Sequence, residues 1–232
     1  MHMYIGGEWT DRDDKISVIN PFNNSIVDTV PSATTDDVEL AINSAVSGAK
    51  DIATLSGYER YQILRKAADL LEERTEDFAR TITLEEGKVI SEGRLEVSRA
   101  VQTMTLSAEE SKRIHGEMVP LDGAPGWAGQ LGFTLRVPCG VVAAISPFNF
   151  PLNLVCHKVG PALAAGNSVI IKPATDTPLS ALKLTEILLE AGVPTGAIQC
   201  ITGSGSSIGD PLVADSRVRK VTFTGSRDIG ER

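Results

Sequence analysis

Long apolar runs are missing from this 232-residue sequence; none reaches the roughly 18 residues that a membrane-spanning helix needs. A cysteine framework is missing too. The three cysteines present, Cys139, Cys156 and Cys200, have neither metal-ligand spacing nor a paired pattern. No metal site is expected from them, and a reducing cytoplasm is the expected setting. Positive charge is in deficit, with a net charge of −8 and a pI near 5.0. That balance argues against nucleic acid or an anionic membrane as a general partner, while a local basic pocket stays possible. The opening MHMYIGGEW lacks the basic and apolar segments of a secretory signal. The dinucleotide fingerprint GxGxxG does not occur where a strand meets a helix.

What is present is enough apolar residue, 42%, to bury the core of one or two domains. Gly6-Gly7 lies between Tyr4-Ile5 and Glu8-Trp9, which signals a hairpin. A second hairpin is expected from 16–19 and 26–30 around the turn at 20–24. The character then changes to helix. Thr34-Thr35 caps a helix with Asp36 and Asp37 in its first turn, running to about Lys50. Ser56 precedes a second, from Tyr58 to about Arg74; Thr75 restarts it and Gly87 ends it. A third runs from Ile90 to about Arg113, with Val97, Val101, Met104 and Ala108 as its core stripe and Gly116 as its stop. Residues 117–138 read as an irregular, glycine-supplied bend and then extended chain, as in a surface hairpin.

From Val141 strands and helices alternate. Strand 141–145 leads to a helix over 151–165, strand 168–171 to a helix opened by Thr177 as cap and Pro178 at its first position. Strand 198–201 leads to a short helix near 207–214, and strand 220–223 closes the series. Such alternation with short loops builds a parallel sheet, with ligands at the carboxyl ends of its strands. Three places there carry polar or small residues suited to chemistry. Asn149, in VVAAISPFNFPLN, is the one polar side chain between two aromatic rings; by residue type alone it is a loop asparagine satisfying its own turn. Lys172 ends a strand, where it either reaches a ribose hydroxyl or is solvated. The turn Gly203 to Gly209 lets a backbone approach a phosphate, or is merely flexible.

SPFNFPLN, then IIKPA at 170–174, GSGSSIG at 203–209 and FTGS at 223–226 together resemble the aldehyde dehydrogenase superfamily, in its order and at similar spacing. The resemblance covers almost all of this chain and about the first half of a family member. It implies an α/β fold: a Rossmann-like parallel sheet of the aldehyde dehydrogenase type, preceded by an N-terminal helical segment, with the catalytic domain absent. Residues 1–116 would be the N-terminal strands and helical part of the cofactor domain, 117–138 a crossing and oligomerisation segment, and 139–232 the truncated Rossmann-like part. Asn149 would be the oxyanion-hole asparagine. Ser146, Pro147, Phe148, Lys172, Thr175, Gly205, Gly209, Thr224, Gly225, Ser226 and Ile229 would hold the cofactor.

Many NAD-preferring members carry a glutamate where Thr175 stands, so the resemblance implies that NADP is accepted alongside NAD. Arg99 and His157 fall near the family's substrate tunnel, and with Lys158 could hold an anionic group on the aldehyde; the alternative is a solvated arginine and a packed histidine. That points to the glyceraldehyde, lactaldehyde or phosphonoacetaldehyde branch, and to a homo-oligomer, dimer or tetramer. The family's nucleophilic cysteine and its glutamate base lie beyond FTGS, and this chain has 6 residues after Ser226. Inactivity of the isolated chain is therefore expected, with a non-catalytic nucleotide-binding or oligomerising fragment as the alternative. Another Rossmann-type oxidoreductase is disfavoured by the missing GxGxxG and the presence of SPFNFP.

Overall fold

The computed structural model describes residues 1–231. β1 (Met3–Ile5) and β2 (Glu8–Thr10) pair antiparallel across Gly6-Gly7, whose φ angles of +65° and +93° suit glycine alone. β3 (Lys15–Ile19) and β4 (Ile26–Pro31) form the second hairpin. α1 (Thr35–Thr54) starts at a reciprocal capping box between Thr34 and Asp37 and runs one turn past its expected end. Ser56 and Glu59 cap α2 (Gly57–Glu73) in the same way. α3 (Thr75–Glu86) stops at Gly87, φ +87°, and α4 (Ile90–Ser111) follows. α4 ends short of Arg113, so Gly116 is not its stop. Its stripe of Val97, Met104 and Ala108 is fully buried, while Val101 is only half-buried. β5 (Met118–Val119) and β6 (Gly132–Phe133) pair within an exposed excursion bearing Leu131, Phe133, Leu135 and Val137 at its surface.

The alternating part holds β7 (Val141–Ile145), α5 (Asn153–Ala164), β8 (Ser168–Lys172), α6 (Leu179–Ala191), β9 (Ile198–Cys200), α7 (Gly205–Val213), β10 (Val218–Phe223) and α8 (Arg227–Gly230). The sheet order is β10-β7-β8-β9-β1-β2, parallel through β9 and antiparallel thereafter. The first hairpin of the chain thus completes the last-made sheet. Strand alternation divides the core: Val142 and Ala144 face α2, α4, α5 and α6, whereas Val141 and Ala143 face α1 and α7.

Two helix starts differ from the sequence reading, for one physical reason. α5 begins at Asn153, with Pro151 in the preceding turn; α6 begins at Leu179, with Pro178 as its cap residue and no capping bond from the Thr177 hydroxyl to the helix. Neither start has a local side-chain cap. A buried carboxylate from a distant helix does that work in each case. For α6 it is Glu85, which accepts from Leu179 N at 2.7 Å, Ser180 N at 3.0 Å and the Ser180 hydroxyl.

Burial pushes the Glu85 carboxyl up from 4.5 to about 7, against the pull of those three donors. The folded state then keeps a proton that the unfolded chain releases above pH 4.5, so stability falls as pH rises through that window to about 7. Thermal melts from about pH 5 to about pH 8 should show a declining midpoint, and Glu85→Gln should remove most of the slope.

Candidate cofactor and active site

The carboxyl ends of β7, β8 and β10 meet the start of α7 around a cavity of about 480 Å³. Its walls include Lys172, Thr175, Gly205, Gly209, Phe223 and Ile229. Lys172 is 5% exposed, so the solvated-lysine alternative does not hold; its Nζ donates to Pro173 O at 3.0 Å, and burial lowers its pKa from the usual lysine value. Thr175 Oγ1 donates to Gly203 O at 3.3 Å. Gly205 and Gly209 lie within the first turns of α7, not in a preceding loop, and a Cβ at either would meet open space. The volume, a buried cationic donor and a glycine floor fit a nucleotide. Gly209→Leu should leave the melting temperature unchanged or higher, since glycine is a poor helix former, yet weaken nicotinamide cofactor binding roughly 10-fold by filling this floor. Fluorescence titration with NADPH measures it.

The turn from Ser146 to Leu152 leaves β7 beside this cavity. Its Ser146 hydroxyl is buried without a protein partner, and Ser146 N donates to Lys172 O. Asn149 is exposed, and among the described residues no group hydrogen-bonds its side-chain amide. Its backbone is held instead. Lys88 Nζ donates to Asn149 O at 2.5 Å and lies 3.8 Å over the Phe150 ring. Thr177 Oγ1 donates to Phe148 O at 3.4 Å. Glu96 Oε1, on a side chain 1% exposed, accepts from Leu152 N at 2.9 Å and Asn153 N at 3.1 Å; this is the cap of α5.

Beyond the turn, Thr103 on α4 meets Asn153 and His157 on α5. Arg99 and Thr103 stand one turn apart on α4, as do Asn153 and His157 on α5. Thr103 Oγ1 donates to Asn153 Oδ1 at 3.1 Å and lies 3.5 Å from His157 Nε2. Arg99 and His157 are both exposed; His157 lines a cavity of about 650 Å³ with Cys139 and Lys158, and Arg99 is not in its wall. Lys158 lines the same cavity as His157, is 6% exposed and donates to Thr224 Oγ1 at 2.6 Å. Burial lowers its pKa.

The remaining positions read from sequence are dispersed. Phe148 lines a separate cavity of about 400 Å³ with Glu85 and Thr177. Gly225 lies against the Phe223 ring, where a Cβ would come within 2.5 Å, and Ser226 starts α8 without a side-chain cap bond. Pro147 and Thr224 do not reach the 480 Å³ cavity. Cys156 and Cys200 are fully buried, which pushes both thiols up, Cys200 to about 12. Cys139 is exposed but precedes β7, so the whole strand, roughly 16 Å of chain, separates it from the Asn149 turn.

The sequence pattern of the Aldehyde dehydrogenase family matches residues 9–232. The chain belongs to that family. It is 52% identical over 229 residues to a 3-sulfolactaldehyde dehydrogenase of Priestia megaterium, covering 99% of this chain and 48% of that protein. It is 45% identical over 217 residues to an aspartate-semialdehyde dehydrogenase of Pseudomonas canavaninivorans, covering 94% and 46%. Its fold superposes on the NADP-dependent glyceraldehyde-3-phosphate dehydrogenase of Bacillus halodurans, solved with NADP, with a TM-score of 0.96 and 38% identity, covering 99% of this chain and 49% of that one. The chain spans about half the length of the curated relatives it matches.

For this aldehyde dehydrogenase chain, sequence reasoning missed Lys88, Glu96, Thr103 and Asn153. A signal for Glu96 was available. It lies three residues after Gly93 and four before Ala100, on the buried face of α4, where a carboxylate must have a partner.

Proposed function

We propose that this chain supplies the cofactor-binding half and the oxyanion asparagine of an NAD(P)-dependent aldehyde dehydrogenase acting on a small anionic aldehyde. The observation that carries the reading is the adjacency of the 480 Å³ cavity, with Lys172 and Thr175 in its wall, to the turn that presents a free Asn149 amide. Lys172 would donate to the ribose hydroxyls, Gly205 and Gly209 would admit the nucleotide, Ile229 would close the cavity over it, and Ser146, Gly225 and Ser226 would lie along its course. When bound, NADP or NAD supplies the hydride acceptor. Asn149 would donate its side-chain N–H to the oxygen that becomes negative as a thiolate attacks the aldehyde carbon. None of Cys139, Cys156 and Cys200 suits that thiolate, by burial or by distance. The nucleophile and the base that releases the acyl group would come from outside these 232 residues; the complete enzyme below means the chain together with them.

The reading predicts that the 232-residue chain binds NADPH without forming product from aldehyde. Fluorescence titration and an aldehyde-dependent absorbance assay test it, and turnover by the chain would overturn the assignment of the nucleophile. A charged far end on the substrate is read from Arg99 and His157, exposed basic side chains on α4 and α5. The name of the Priestia relative, with its sulfonated aldehyde, supports the same class. In the complete enzyme Arg99→Ala should raise KM for an anionic aldehyde about 10-fold and leave KM for a neutral one unchanged. An equal effect on both would sink the anion site. Residues 117–138, separating the helical 1–116 from 139–232, carry an exposed apolar strip suited to self-association in a dimer or tetramer, which sedimentation would detect. Among the described residues no helix is long and apolar enough to cross a membrane; a cytoplasmic setting is part of the proposal.

A further inference from the structure

Nothing in the reaction just described uses Lys88, yet its ammonium touches four things at once. It donates to Asn149 O at 2.5 Å and to Glu96 Oε2 at 2.8 Å, lies 3.1 Å from Glu86 Oε2 and sits 3.8 Å over the Phe150 ring. Its side chain is only 13% exposed and that of Glu96 1%. The other oxygen of Glu96 takes the two free N–H groups at the start of α5. One carboxylate and one ammonium therefore grip the chain on both sides of Asn149: at its own carbonyl, at the ring of the next residue, and at the helix start three and four residues on. The side chain of Asn149 has no such restraint, so its direction is set by the backbone that these two residues hold.

We infer that Lys88 and Glu96 are positioning residues for the Asn149 amide, an inference that rests on the oxyanion reading above. A hydrogen-bond donor contributes to an oxyanion only if it is already aimed where the charge develops. A turn free to shift by an ångström would lose that contribution without losing substrate or cofactor binding. Charge explains why the pair is built this way. Lys88 neutralises a carboxylate that would otherwise be buried alone, and the carboxylate in turn fixes the ammonium against the Asn149 carbonyl.

The test is a kinetic split in the complete enzyme. Lys88→Met strands both Glu96 and Glu86, so the double variant Lys88→Met with Glu96→Gln is the safer form: it leaves only Glu86, 12% exposed, without its ion partner and keeps an oxygen for the two N–H groups. Its kcat should fall about 10- to 100-fold, with KM for the aldehyde and the NADPH dissociation constant within about 2-fold of wild type. Lys88→Arg, which can still reach the carbonyl and the carboxylate, should recover most of kcat. Asn149→Ala is measured alongside. If it collapses kcat while the double variant stays within about 2-fold of wild type, the positioning role is wrong and the oxyanion reading stands. If Asn149→Ala itself leaves kcat unchanged, the oxyanion reading fails and takes this inference with it. A double variant that loses kcat, KM, cofactor affinity and melting temperature together would also overturn it, since that is the pattern of a purely structural pair.

Discussion

Asn149→Ala in the complete enzyme should lower kcat for aldehyde oxidation about 100- to 1,000-fold, the usual cost of removing one oxyanion donor. The loss should fall on kcat rather than on KM, because the amide meets a strong negative charge only once the thiolate has added to the carbonyl. NADPH binding should be unchanged, since Asn149 is not among the walls of the 480 Å³ cavity. Thermal stability should move little. The side chain is exposed and makes no hydrogen bond to a described residue, while the backbone carbonyl that Lys88 grips survives the substitution. Steady-state kinetics with a fluorescence titration on the same sample separates these outcomes. A large KM effect with kcat intact would assign Asn149 to ground-state binding instead.

Thr175→Glu should weaken NADP binding about 100-fold and leave NAD binding equal or tighter. Thr175 and Lys172 share one wall of the cavity three residues apart. A glutamate there would set a carboxylate against the 2′-phosphate that distinguishes NADP, and like charges forced together at an interface cost several kcal/mol. Towards NAD the same carboxylate finds only ribose hydroxyls, to which it can accept hydrogen bonds, and it offers the buried Lys172 ammonium a counter-charge. The bond from Thr175 to Gly203 O would be lost, so a melting curve belongs beside the titrations. The discriminating quantity is the ratio of the two dissociation constants. A ratio unchanged by the substitution would place the 2′-phosphate elsewhere.

Much of this molecule was legible from residue pattern. The glycine pair at 6–7, the boxes at Thr34 and Ser56 and the left-handed stop at Gly87 are local events, each decided within four residues, and the structure has all of them. The parallel strands were legible because buried apolar runs alternate with helices at short spacing. What escaped was set by partners far along the chain. α6 looked as though it needed Thr177 because nothing in its own neighbourhood indicates that a carboxylate 94 residues earlier, Glu85, already occupies its first N–H groups. Asn149 could be singled out, but the grip of Lys88 and Glu96 on its backbone spans 61 and 56 residues. Lys158 shares a cavity wall with its sequence neighbour His157, but the bond its ammonium makes could not be read from sequence. On a helix adjacent residues point about 100° apart, and Lys158 turns inward to Thr224.

The sheet order also has a consequence in time. β1 precedes β9 by nearly 200 residues, yet its place is beside it, with Tyr4 opposite Cys200. At roughly 5–20 residues per second, its docking site is about 10–40 s away when β1 emerges. Throughout that interval a strand destined to be fully buried, Met3-Tyr4-Ile5, waits in solvent. The hairpin it forms with β2 is too small to be stable alone. Docking β1 on β9 is a long-range closure that local contacts cannot hasten.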